Sequence, residues 1–157
     1  MNSTVLLFAF AIGVIAGLRA MTAPADTAWA AHLGWLHVVG TPFKFMGSMI
    51  TVAIFTVLAV VELVTDKLPA TPSRLAPPGL IARIVTGGLS GATVAAAGGG
   101  AWIVGAILGA LGGVVGAFVG NRTRSALVRA LKCPDFVIAV AEDLVAICGG
   151  LFLLSRF

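Results

Sequence analysis

Gly13-Val-Ile-Ala-Gly17-Leu-Arg19 and Gly116-Ala-Phe-Val-Gly120-Asn-Arg122 are one pattern written twice: two glycines four apart, then an arginine two residues on. Each copy closes a long apolar run and is followed by a hydroxyl residue and an alanine, Thr22-Ala23 and Ser125-Ala126. Glycines four apart leave a smooth helical strip that lets another backbone approach closely in lipid. An arginine at that point needs a carboxylate, water or an interface nearby. The pattern decides the fold class: an all-α integral membrane protein with an internal repeat.

Composition agrees. The chain of 157 residues is 59% hydrophobic and 10% charged, with mean hydropathy +1.09, whereas soluble domains carry about 25% charged residues. At roughly 20 residues per spanning helix, about five transmembrane helices use most of the chain and leave a single membrane domain over 1–157. The net charge of +4 does not imply a nucleic-acid partner, because the basic residues sit between apolar runs as topology determinants. Cys133 and Cys148 lie on different segments without metal-ligand spacing and read as packed thiols.

The first span covers about 4–21 and reads as a retained helix, because Met1-Asn-Ser-Thr4 lacks the positive charge of a signal peptide. Asp26 to His37 mixes aromatic and polar residues and reads as interfacial. The second span covers about 46–64, and four prolines between Thr65 and Gly79 make the next stretch a loop. Leu80 to Gly120 is too long for one span, so Gly98-Gly99-Gly100 is the place to fold it into helices of about 80–97 and 101–120. Asn121 to Asp135 reads as a basic surface helix, and the fifth span covers about 136–154. Five spans put seven Lys and Arg on one side and three on the other, hence the N-terminus inside and the C-terminus outside an inner membrane. On this count the repeated phrases close spans one and four and run antiparallel. The expected arrangement is an inverted repeat (about 4–64 and 101–155, joined by the helix 80–97), as in many transporters.

The residues able to carry chemistry are few. Arg19 and Arg122 neutralise carboxylates or snorkel. Glu62 and Asp66, four apart, share a helical face and need cations between them. Glu142 and Asp143 lie within the fifth span, where an ionised acid costs about 2.5–3.5 kcal/mol, so they call for an aqueous path or a buried pair. Lys67, Arg74, Arg83, Arg124 and Arg129 form a basic inner face suited to lipid phosphates. Gly105, Gly109 and Gly113, and Gly112, Gly116 and Gly120, make a two-faced glycine zipper that joins Gly13 and Gly17 in packing helices, within the subunit or across a homo-oligomer. His32 and His37 are five apart, the wrong spacing for a metal site. No nucleotide, hydrolase or metalloprotease motif is present, so no cofactor is expected.

Gly17-Leu-Arg-Ala-Met-Thr-Ala-Pro24, Glu62-Leu-Val-Thr-Asp66-Lys-Leu-Pro69, Thr71-Pro-Ser-Arg74, and Arg83 leading into a Gly/Ala-rich span resemble the bacterial membrane family called domain of unknown function 4126. The resemblance implies a membrane architecture and transfers no catalytic residue. The leading expectation is permeation of an ion or small polar solute past Arg19, Glu62, Asp66, Arg122, Glu142 and Asp143. Two alternatives stand beside it: a lipid-headgroup-binding protein or membrane enzyme whose Glu62 and Asp66 hold a metal, and a structural or accessory subunit.

Overall fold

The computed structural model describes residues 3–67 and 74–157, and the described chain is entirely helical apart from turns. Its elements are α1 (Ser3–Leu18), α2 (Thr22–His32), a single 3-10 turn (Lys44–Gly47), α3 (Met49–Thr65), α4 (Pro77–Ala97), α5 (Trp102–Leu131) and α6 (Asp135–Ser155). Leu68 to Ser73, the centre of the proline-rich motif, lies outside the described residues. Pro77 and Pro78 open α4, where a missing N–H breaks no helical bond. The expected fold-back is present: α4 ends at Ala97, Gly99 takes φ +68°, and α5 begins at Trp102.

Helices α4, α5 and α6 are long and apolar enough to cross a membrane, whereas the apolar α1 and α3 are shorter, at 16 and 17 residues. The packing is arranged as a membrane protein requires. Small residues fill the inside (Ala9, Ala16, Ala23, Ala28, Ala30, Ala95, Ala117 and Ala146), while Ile50, Ile54, Ile103, Ile107, Leu144 and Phe152 are exposed. Without a hydrophobic drive between helices in lipid, close backbone contact has to supply the cohesion.

That contact centres on α1, α4 and α5, which make the most extensive pairings. Gly105, Gly109 and Gly113 of α5 face α4 at Gly91, Gly87 and Arg83, where an added Cβ would overlap backbone. Gly112, Gly116 and Gly120 face α1 at Phe10, Val14, Gly17 and Leu18. Both strips are thus occupied inside the chain. The numbers of α1 and α5 rise together along their contact, so the two repeated phrases lie side by side and run parallel. The expected inverted repeat is therefore corrected, and its boundaries (4–64 and 101–155) do not describe two inverted halves.

The cause is α2. It was expected at the interface, yet Thr22 to Ala28, Ala30 and Ala31 are buried, and the helix packs on α3, α4 and α6. After α1 the chain turns at Arg19–Met21 and α2 returns toward the end where α1 began. Trp29 donates to Thr56 Oγ1 of α3 at 3.1 Å, and His32 meets the Gly47 carbonyl. One further reversal makes α1 and α5 parallel. It also brings the two ends of the described chain together, since a Cβ at Gly98 would meet both Val5 and Phe157 and Phe8 stacks edge-on against Phe157. The two ends of the described chain thus lie at one end of the bundle, where five alternating spans would set them at opposite ends. The expected separate basic surface helix is not formed: residues 121–131 continue α5 without a break until Lys132, in the left-handed conformation, ends it.

Candidate functional site

Breaking a helix inside a packed bundle leaves carbonyls at its C-terminus and N–H groups at the next N-terminus without partners. At the α1–α2 turn these groups are met by side chains from two other helices. Glu62, near the end of α3, accepts hydrogen bonds from the Ala20 and Met21 N–H groups at 2.8 and 2.7 Å. Arg83, in the second turn of α4, donates through Nε to the Gly17 carbonyl at 3.1 Å and through Nη1 to Gly79. An anion thus caps the positive end of α2 and a cation the negative end of α1, the favourable sense for both helix dipoles.

Around this turn ten charged side chains gather. Arg19, completely buried, bridges Asp66 at the C-cap of α3 and Asp143 of α6, the latter at 2.6 Å. Lys67 reaches Asp143 at 2.7 Å. Arg74 grips Glu142 through two bonds of 2.6 and 2.8 Å, and Arg124 lies 3.5 Å from Glu142 while bonding Asp135. Arg83 stands 3.9 Å from Glu62. Five cations (Arg19, Lys67, Arg74, Arg83 and Arg124) balance five carboxylates (Glu62, Asp66, Asp135, Glu142 and Asp143), so the cluster is electrically neutral. Buried ion pairs rarely add net stability, but removing one partner costs about 3–5 kcal/mol, which makes such a network a device for register. It ties the α1–α2 turn to α3, the α3–α4 connection, α5 and α6.

Five of the six residues expected on a polar path come together here: Arg19, Glu62, Asp66, Glu142 and Asp143. Arg122 does not. It is exposed on α5, and no ion pair includes it among the described residues. The basic face is likewise reassigned, because Lys67, Arg74, Arg83 and Arg124 are engaged by carboxylates, leaving Arg129 exposed with Arg122 and Lys132. Both Glu62 oxygens accept peptide N–H groups, and one Asp66 oxygen pairs with Arg19. No cluster of three metal-ligating side chains occurs among the described residues, and both cysteines are free thiols.

Beside the network lies an open cavity of about 700 Å³, with Ala20 and Met21 of the turn, Glu62, Asp66, Arg74, Arg83, Arg124 and Asp135 in its wall, and Ala82, Asn121 and Ser125 among the uncharged lining residues. A second cleft of about 320 Å³, between α1, α5 and α6, is lined by apolar side chains such as Val14, Leu18, Val119, Leu127 and Ile138.

A glycine-packed helical bundle with an α1–α2 hairpin, a neutral charge network and a polar cavity at one end, and with three helices long and apolar enough to cross a membrane, defines a class of small helical membrane protein. A family model described as "Domain of unknown function (DUF4126)" matches residues 6–155, and the chain belongs to that family. No curated protein and no solved structure matches it.

Proposed function

We propose that the protein carries a small ion or polar solute across the cytoplasmic membrane, entering through the charged cavity. The observation behind this reading is the cavity's inner wall. An open volume of about 700 Å³ lined by both signs of charge leads to the Ala20–Met21 turn. A re-entrant hairpin there places irregular backbone next to water, where membrane proteins tolerate it. Eight of the ten Lys and Arg residues lie at this end of the bundle, with only Lys44 and Arg156 at the other. The positive-inside rule then assigns the cavity to the cytoplasmic face and both termini to the opposite face. The glycine strips serve this arrangement as a zipper that holds α1, α4 and α5 rigid around the turn.

The test is flux into liposomes across a panel of ions and small solutes. Ser125 lines the cavity, is exposed and belongs to no ion pair. With Cys133 and Cys148 replaced by alanine, Ser125→Cys should pass the same solute as the parent and lose flux on reaction with a bulky charged thiol reagent. Flux unaffected by complete modification would remove the cavity from the path.

A second reading, binding of anionic lipid headgroups, is favoured by Arg122, Arg129 and Lys132, which stay exposed on the continuation of α5 near the apolar cleft. Phospholipid retained by the native protein and lost on replacing all three with alanine would support it.

A further inference from the structure

Behind the turn, Asp26 is the one acid of the chain outside the charge network. It is 4% exposed, its Oδ2 has no hydrogen-bond partner, and α6 makes room for it with glycine: a Cβ at Gly150 would overlap Asp26 Oδ2. Gly150 lies seven residues beyond Asp143, or about 10 Å deeper into the bundle at 1.5 Å per residue. Two further hydroxyls near this level are buried without partners, Thr22 Oγ1 one helical turn before Asp26 and Ser90 Oγ on the adjoining α4. Thr22 directly follows Met21, which lines the cavity. Unpartnered polar atoms thus continue from the cavity wall into the interior.

The elements packed on α2 bring no counter-ion to Asp26. The charges of the α1–α2 turn (Arg19), α3 (Glu62), α4 (Arg83) and α6 (Asp135, Glu142 and Asp143) all belong to the network, and α1 itself carries none. On the 3-10 turn, Lys44 is exposed, as is His32 at the end of α2 itself. Among the described residues no ion pair includes Asp26. An ionised carboxylate in such a place is uncompensated, whereas a protonated carboxyl is neutral and can donate to a hydroxyl or carbonyl.

We propose that Asp26 is a proton-binding site in the middle of the bundle, loaded and unloaded through Thr22 and the cavity, and that the proton is the permeating or coupling ion. This rests on the permeation reading and names its ion. The chemistry is a reversible proton transfer between the Asp26 carboxyl and water; no other bond changes.

Infrared spectra of the purified protein in liposomes test the site, and proton entry into dye-loaded liposomes under a pH gradient tests its use. The wild-type protein should show a protonated-carboxyl C=O stretch at neutral pH that shifts on carboxyl-¹³C labelling of aspartate and disappears as pH rises. Asp26→Asn should lose this band and bring proton entry down to that of empty liposomes. Absence of the band in wild-type protein, a measurement that needs no variant, overturns the proposal. Equal proton entry in wild type and Asp26→Asn also overturns it. If the band is present but only a solute other than the proton crosses, blocked by modification at Ser125→Cys, the proton assignment fails while permeation stands. If nothing crosses, both fail.

Discussion

Glu62 is the residue on which the α1–α2 turn depends, and Glu62→Leu is the most informative perturbation. Its carboxylate accepts the Ala20 and Met21 N–H groups at 2.8 and 2.7 Å. A hydrogen bond to a charged group contributes about 1.5–3 kcal/mol, so losing both costs about 3–6 kcal/mol. Leucine offers nothing to the two N–H groups, which remain near the centre of the packed turn. Glu62→Gln keeps one side-chain oxygen and should cost about half as much. The assay is equilibrium unfolding in mixed detergent micelles, followed by tryptophan fluorescence. Trp29 is a suitable reporter, because it sits on α2 and donates to Thr56 of α3. The expected order is wild type, then Gln, then Leu, with α2 released first. A Glu62→Leu variant within about 1 kcal/mol of wild type would refute the capping role and the reason for the turn.

The same packing predicts three other outcomes. Arg19→Met should cost about 3–5 kcal/mol as the loss of one partner of a buried ion pair, whereas Arg122→Ala should stay within about 0.5 kcal/mol as a surface change; the same unfolding assay compares them. Gly109→Leu places side-chain atoms where the Gly87 carbonyl now sits, a strain above the about 1–3 kcal/mol typical of overpacking, and should appear as loss of the cooperative thermal transition in detergent. Arg74→Ala frees both Glu142 oxygens from their bidentate partner. It should cost about 3–5 kcal/mol in the same unfolding assay, while Arg129→Ala stays within about 0.5 kcal/mol.

How much of the fold was legible in the sequence depends on which physical signal each element carries. Helices α4 and α6 and the first part of α5 are largely apolar, and the triple glycine marks the turn between α4 and α5, so these could be read directly, whereas the basic end of α5 (121–131) reads as a separate helix. Helix α2 could not. Asp26, its threonines and Trp29 gave it an interfacial look, yet its five alanines (Ala23, Ala25, Ala28, Ala30 and Ala31) were the sign of a helix packed closely among others. Without that one reversal the repeated phrases would run antiparallel and the two ends of the described chain would lie at opposite ends of the bundle.

The candidate site was readable in the same uneven way. Glu62, Asp66, Glu142 and Asp143 were too costly to leave unpaired, so a gathering with cations was foreseeable; which cation met which acid depended on α2 and was not, and the exposed Asp135 gave no such signal. The two phrases differ in outcome because the backbone takes a different course after each. Two residues beyond a glycine, a side chain has turned about 200° around a helix with 3.6 residues per turn, away from the glycine face. In α5 the helix continues and Arg122 points outward. In α1 the helix stops at Leu18, the backbone turns, and Arg19 is carried into the centre.

The α1–α2 turn sets the course of every later helix, and thiol labelling in sealed, oriented vesicles probes it. With Cys133 and Cys148 replaced by alanine, single cysteines at Ser3, Phe157 and Ser125 report three positions. A re-entrant α1–α2 hairpin predicts that Ser3→Cys and Phe157→Cys label from the same side and Ser125→Cys from the other. Labelling of Ser3→Cys and Phe157→Cys from opposite sides would contradict it and restore a bundle of five alternating spans.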